Sequence, residues 1–263
     1  MHLFIPHTSK IGKTILTESN DIAIELNKHF TTIGTKLSNS IPNINDKHVN
    51  DAQNLSNSNI NYTEVTYTEF DDAFKSLKKN KATGYDGING NIIIDSYDII
   101  KNILYKIFRA SIIQGSLPDY LKIAKIIPVF KTGEHINMNN YRRISILSFF
   151  SKIIERIMHN RIYTYLIENK LLYENQFKWN NSTEHAVLQL TRNISESFKN
   201  GQFTLEVFID LSKAFDTVDH KILLKKLVSY GIIDKTVNWF KSYLTNRKQY
   251  VYNENSGSLR SVY

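Results

Sequence analysis

Residues 207–220 read VFIDLSKAFDTVDH, and the rest of the chain is read outward from them. An apolar run, Val207-Phe208-Ile209, stops at Asp210. Two further carboxylates follow: Asp216 after Phe215, and Asp219 beside His220. β-Branched and aromatic residues in a short run favour a strand, so residues 203–210 are expected to form a buried one. An acid at the C-terminal end of such a strand reaches solvent while the strand stays covered. That placement suits a Mg²⁺ ligand, because the ion takes a few carboxylate oxygens and keeps waters or phosphates for the rest. The backbone carbonyl of Leu211 is a natural additional ligand. A plainer reading fits the same pattern, since an Asp between a strand and a helix is often an N-cap.

Composition narrows the classes. The chain has 263 residues, a net charge of +8 and no cysteine, which excludes a disulfide framework and thiolate metal sites. Its eight histidines are scattered without metal-ligand spacing. The basic balance points to an acidic partner, although solubility alone also explains such a charge. No apolar run approaches the roughly 18 residues that span a bilayer. The start, MHLFIPHTSK, lacks the basic-then-apolar order of a signal peptide. These features lead us to expect an intracellular protein, in nucleus or cytoplasm, with no membrane partner.

Three pieces are expected, 1–61, 62–202 and 203–263. In the first, Ile22, Leu26, Phe30, Ile33 and Leu37 recur at helical spacing. Residues 39–61 then hold eight asparagines and read as a linker. In the second, Thr68 and Asp71 have capping-box spacing ahead of Phe74. The spacing predicts a helix carrying Leu104 and Phe108 and ending at Gly115, an extended segment over 122–130, and helices near 149–168 and 183–200. In the third, helices are expected near 219–229 and 234–245, then a hairpin over 249–263 whose last strand runs to Tyr263.

The segment 207–227 resembles the A motif of reverse transcriptases of non-LTR retrotransposons, of the jockey-like kind. Further blocks follow in that family's order: LKKNKATGYDGI (77–88), KIAKIIPVFKTGE (122–134), NYRRISILSFFSKIIERIMHNRI (140–162) and WFKSYLTNRKQYV (239–251). The resemblance covers roughly 62–263. It implies an α+β polymerase right-hand fold, with helix-rich fingers and an incomplete antiparallel palm sheet. It implies an RNA template, a DNA primer, deoxynucleoside triphosphates and Mg²⁺. By position, Asp210 matches the first catalytic carboxylate and metal ligand, with the Leu211 carbonyl beside it. Phe215 matches the residue that discriminates deoxyribose from ribose. Lys125, Lys131 and Arg142 match cations that approach the triphosphate, where they offset phosphoryl charge. Asp216 is read as a structural acid at a turn, and Asp219 and His220 as the start of the next helix. Tyr141 and Trp179 offer base-stacking rings, with core packing the favoured reading of both.

Departures from the family pattern are equally informative. Arg143 stands where the family usually has proline, and Lys178 where a glycine is usual. The aromatic-x-Asp-Asp block, which carries the remaining metal carboxylates, does not occur in these 263 residues. The expectation is therefore a truncated polymerase domain that does not polymerise by itself. The alternatives are a non-catalytic RNA- or DNA-binding remnant, or a helical interaction protein with fossil motifs.

Overall fold

Burial alternates along Ile123–Phe130 as a half-covered strand requires, and this strand, β3, organises the sheet. The computed structural model describes residues 8–11, 14–40, 64–172, 183–211 and 213–252. Strand β4, Tyr141–Leu147, runs antiparallel to β3 from Phe130↔Tyr141 to Ala124↔Leu147. Strand β5, Lys248–Val251, joins the other edge in parallel, from Ile123↔Lys248 to Ile126↔Val251. The sheet is therefore mixed, which corrects the expected antiparallel palm sheet. Pro128 lies past the last β3 residue paired with β5, where β3 has one neighbour, as suits a residue without an N–H. Strands Ser9–Ile11 (β1) and Thr14–Leu16 (β2) form a separate two-stranded ribbon.

One face of the larger sheet is covered by helix α1, Ser19–Ser40. The apolar spacing read from the sequence does the work: Ile22, Leu26 and Phe30 pack with Ala124, Ile126, Tyr141 and Val251. The opposite face stays partly in solvent, with Ile144 47 % exposed. A second core joins the helices α2 (Tyr67–Lys75), α4 (Tyr97–Gln114), α5 (Phe149–Glu168) and α8 (Asp234–Leu244). Phe70, Phe74, Phe108, Ile153, Ile157 and Trp239 fill it. The Trp239 indole N–H donates to the Ser111 hydroxyl at 3.2 Å, so its one polar atom is satisfied. The short helix α3, Gly90–Asp95, has no strong apolar period and was not expected.

Helix ends follow local chemistry, with one correction. The capping box of α2 is Thr66 with Glu69, not Thr68 with Asp71. Both pairs have the required spacing, but Glu69 reaches back to the Thr66 N–H at 2.8 Å, whereas Asp71 is held by Lys75 and Tyr97. Gly115 closes α4 with φ of 65°, a left-handed cap that glycine adopts without penalty. Helix α6, Thr183–Lys199, and helix α7, His220–Ser229, complete the elements. No described helix is long and apolar enough to cross a membrane.

Residues 203–211 depart most from expectation. They carry no strand pairing, and Phe208 and Ile209 are 83 % and 84 % exposed. Strand propensity supplies no neighbour, and no strand among the described residues pairs with this run. Of the expected hairpin over 249–263, the first residues belong to β5 and pair with β3; 253–263, like the Asn-rich 41–61 and Lys178 with Trp179, lie outside the described residues.

Arg161 on α5 ties two helices by donating to Glu69 at 2.7 Å. Burial alone would push the Glu69 carboxyl up, but bonds from Arg161 and Thr66 outweigh it and hold the group below its ordinary 4.5. A lowered carboxylate pKa adds stability above the unfolded value and loses it as pH falls through the folded one. Arg161→Leu is expected to lower the urea midpoint at neutral pH, with the gap to wild type closing below about pH 4.5. A gap that stays constant into acid would contradict this account.

Candidate functional site

The β3–β4 pairing brings two cations to one end of the hairpin. Lys131 directly follows β3, and its N–H donates to the Asn140 carbonyl at 2.8 Å. Arg142 sits opposite Val129 on β4. The connecting turn is closed by Asn140, whose Nδ2 donates to the Glu134 carbonyl at 2.9 Å. Neither Lys131 nor Arg142 forms an ion pair among the described residues. Both charges are thus available to a ligand.

The segment that begins at Asp210 meets these cations across a cavity of about 810 Å³. Asp210, Leu211 and Phe215 line it together with Lys131 and Arg142. The Asp210 carboxylate has no hydrogen-bond or ion-pair partner among the described residues. Phe215 is 90 % exposed, which leaves its ring open to contact. Lys125 does not line this cavity; its ammonium lies 3.5 Å from the centroid of the Tyr252 ring, a cation–π contact. Five of the six residues singled out in the sequence are therefore gathered around one space, which lies within the usual size of ligand sites.

A clasp that the sequence did not reveal holds the segment there. Arg143 pairs with the Asp216 carboxylate and also donates to the Phe30 carbonyl of α1 at 3.2 Å. The residue that replaces the family's proline thus binds the acid read as structural. The Asp216 N–H closes a turn onto the Lys213 carbonyl at 2.8 Å. A Cβ at Gly34 would lie 2.4 Å from the Asp216 carbonyl oxygen, so α1 and this turn touch where glycine leaves room. An isolated glycine inside a helical pattern was the available signal. Burial pushes the Lys213 ammonium pKa down, Asp216 opposes this, and Arg143 adds to it. Asp219, as read, caps α7 by accepting from Lys221 and Ile222, and bonds from Ile222 and Lys221 hold its carboxyl below the ordinary value. Tyr141 is buried, its hydroxyl donating to the His135 carbonyl at 2.9 Å, so it serves packing.

The donor set bears on a metal directly. Among the described residues no three His, Asp or Glu side chains gather as ligands. Asp216 is engaged by Arg143, which leaves Asp210 as the free carboxylate lining the cavity among the described residues. A two-ion phosphoryl-transfer centre uses several carboxylates to hold its ions about 3.5–4 Å apart. The described residues do not fit such a centre by themselves.

Residues 129–262 match the reverse transcriptase (RNA-dependent DNA polymerase) family. Over 209 residues, 75 % of this chain and 22 % of the relative, the chain is 32 % identical to a probable RNA-directed DNA polymerase from transposon BS of Drosophila melanogaster. It is 30 % identical over 165 residues, 62 % of the chain and 18 % of the relative, to the RNA-directed DNA polymerase from mobile element jockey of the same species. A putative 115 kDa protein in a type-1 retrotransposable element of Drosophila melanogaster is 27 % identical over 182 residues, 68 % of the chain and 17 % of the relative. The chain spans about a fifth of the length of these curated relatives.

The clasp makes a specific prediction. Arg143→Leu removes both of its bonds and should free the turn that contains Lys213. Tryptic cleavage after Lys213 should accelerate in Arg143→Leu and stay at the wild-type rate in Arg142→Leu. Equal cleavage rates in both variants would show that the clasp does not anchor the turn.

Proposed function

Because this chain belongs to the reverse transcriptase family, with relatives among non-LTR retrotransposons, we propose that it supplies the nucleotide-accepting part of an RNA-directed DNA polymerase. In this reading residues 62–202 serve as fingers and 203–263 as the first part of a palm in a right-hand polymerase. The supporting observation is the convergence on one cavity of two cations and a carboxylate that have no ion-pair partner among the described residues, together with an exposed ring. Lys131 and Arg142 hold the triphosphate of a deoxynucleotide, Arg142 through paired N–H donors that match phosphate oxygens. Phe215 lies beside the sugar, where a ring leaves no room for a 2′-hydroxyl. Asp210 and the Leu211 carbonyl are what this chain brings toward Mg²⁺, an ion that offsets phosphate charge when it accompanies the nucleotide.

The reaction served is attack of a DNA primer's 3′-hydroxyl on the incoming nucleotide, directed by an RNA template. Phosphoryl transfer is catalysed by positioning and electrostatics, and one free carboxylate supplies part of that. In this reading the described residues bind and orient the nucleotide, and the remaining carboxylates come from elsewhere. The same single carboxylate favours a second reading, strand binding without catalysis. Its signature would be affinity for RNA or DNA with none for triphosphates.

Titration with a fluorescent deoxynucleoside triphosphate separates the two. Hydrogen bonds to charged groups contribute about 1.5–3 kcal/mol, so Arg142→Gln should weaken binding at least about tenfold. Phe215→Ala should narrow the preference for deoxyribose over ribose while leaving overall affinity nearly unchanged. Triphosphate affinity that is untouched by Arg142→Gln would remove the nucleotide site from this cavity.

A further inference from the structure

The largely apolar concavity between α5 and α8, of about 400 Å³, shares no residue with the cavity around Asp210. Met158, Ile162 and Leu166 recur every fourth residue along α5 and form one wall. Each helix also brings one nearly parallel ring pair to the lining. On α5 the rings of His159 and Tyr163 lie 6.0 Å apart at 13°. On α8 those of Trp239 and Tyr243 lie 5.4 Å apart at 13°. Aromatic contacts are worth more than the area they bury, so the walls favour a flat guest. The volume falls within the usual size of small-molecule sites.

One carboxyl interrupts this apolar lining. Glu155 accepts from the Tyr243 hydroxyl at 2.7 Å through Oε1, and no described residue bonds its Oε2. Glu155 has no ion-pair partner among the described residues. The two cations whose fields reach it are engaged elsewhere. Arg247 donates to the Tyr243 carbonyl at 3.1 Å and lies over that ring, and the Lys152 ammonium lies 5.5 Å from the centroid of the Phe149 ring. Burial pushes the Glu155 carboxyl up, against the Tyr243 bond and those two fields. The carboxyl also borders a neighbouring concavity with Lys78, Lys81, Lys152 and Arg156. Those charges disfavour a further cation beside Glu155, and the apolar walls disfavour an anion. A neutral hydrogen-bond donor fits both constraints, and it meets an acceptor that strengthens when ionised.

We propose that this pocket binds a small, neutral, flat heteroaromatic molecule through one ring N–H, such as an indole carries. The ring lies among His159, Tyr163, Trp239 and Tyr243, and its N–H donates to Glu155 Oε2. The inference rests on the lining of the pocket and is independent of the polymerase reading. An occupant contacts both α5 and α8, so it also stabilises the folded chain by mass action.

Ligand-observed NMR titration of the full 263-residue chain with indole and with 1-methylindole tests the site. The two probes have nearly the same shape and differ in the ring N–H. Indole should bind about tenfold more tightly, as a hydrogen bond to a charged acceptor provides. In Glu155→Met the two probes should bind equally. Leu166→Trp fills the pocket from α5 and should abolish binding of both. Equal affinity of the two probes for the wild-type chain would overturn the proposal, as would the absence of indole binding up to its solubility. Discrimination that persists in Glu155→Met would show steric exclusion of the methyl group and remove Glu155 as the acceptor. Indole binding that survives Leu166→Trp would place the site elsewhere and overturn the proposal. The comparison of probes on the wild-type chain decides the matter even where a variant fails to fold.

Discussion

The antiparallel ladder between β3 and β4 is the constraint on which the rest of the molecule depends. Its register places Arg142 against Val129 and Tyr141 against Phe130, so one pairing decision fixes which side chains face α1 and which face solvent. A slip of one residue would exchange the two sets. Tyr141 would leave the core, and Arg142 would be driven under α1. Burial of Ala124, Ile126 and Tyr141 against α1 holds that register. The cations at the hairpin end inherit their positions from apolar residues that have no part in binding.

Arg143 shows how a site can be stabilised by a residue that departs from a family pattern. Proline at that position would limit the backbone and donate nothing. Arginine instead carries a guanidinium to Asp216 and to the Phe30 carbonyl. Three pieces distant in sequence, α1, β4 and the turn after Asp210, are joined through one side chain. The partly buried position favours such a pair over its fully solvated equivalent.

Much of this was legible in the sequence because it is local. Helical spacing located α1 and α5, and Gly115 marked the end of α4. Motif order singled out six residues, and five of them border the cavity. What escaped was relational. Thr66 and Thr68 offer the same spacing, and only the reach of Glu69 back to the Thr66 N–H separates them. Residues 203–211 have the composition of a strand, but a strand needs a neighbour, and composition does not name one. The parallel partner of β3 was hidden for the same reason, since β5 arrives from far downstream.

That distance bears on how the chain comes to be folded. Leu117 is bonded to Ser242, 125 positions away, and Trp239 completes a core otherwise built from residues 65–158. Contacts so remote carry a large loop-closure cost and form late. A chain emerging from the ribosome therefore presents α2, α4 and α5 with an open slot in their shared interior until α8 arrives. Synthesis proceeds at about 5–20 residues per second, so the slot stays open for several seconds at least. During that interval the nascent chain is a client for whatever shields apolar surface, and a pause before Trp239 would lengthen the exposure.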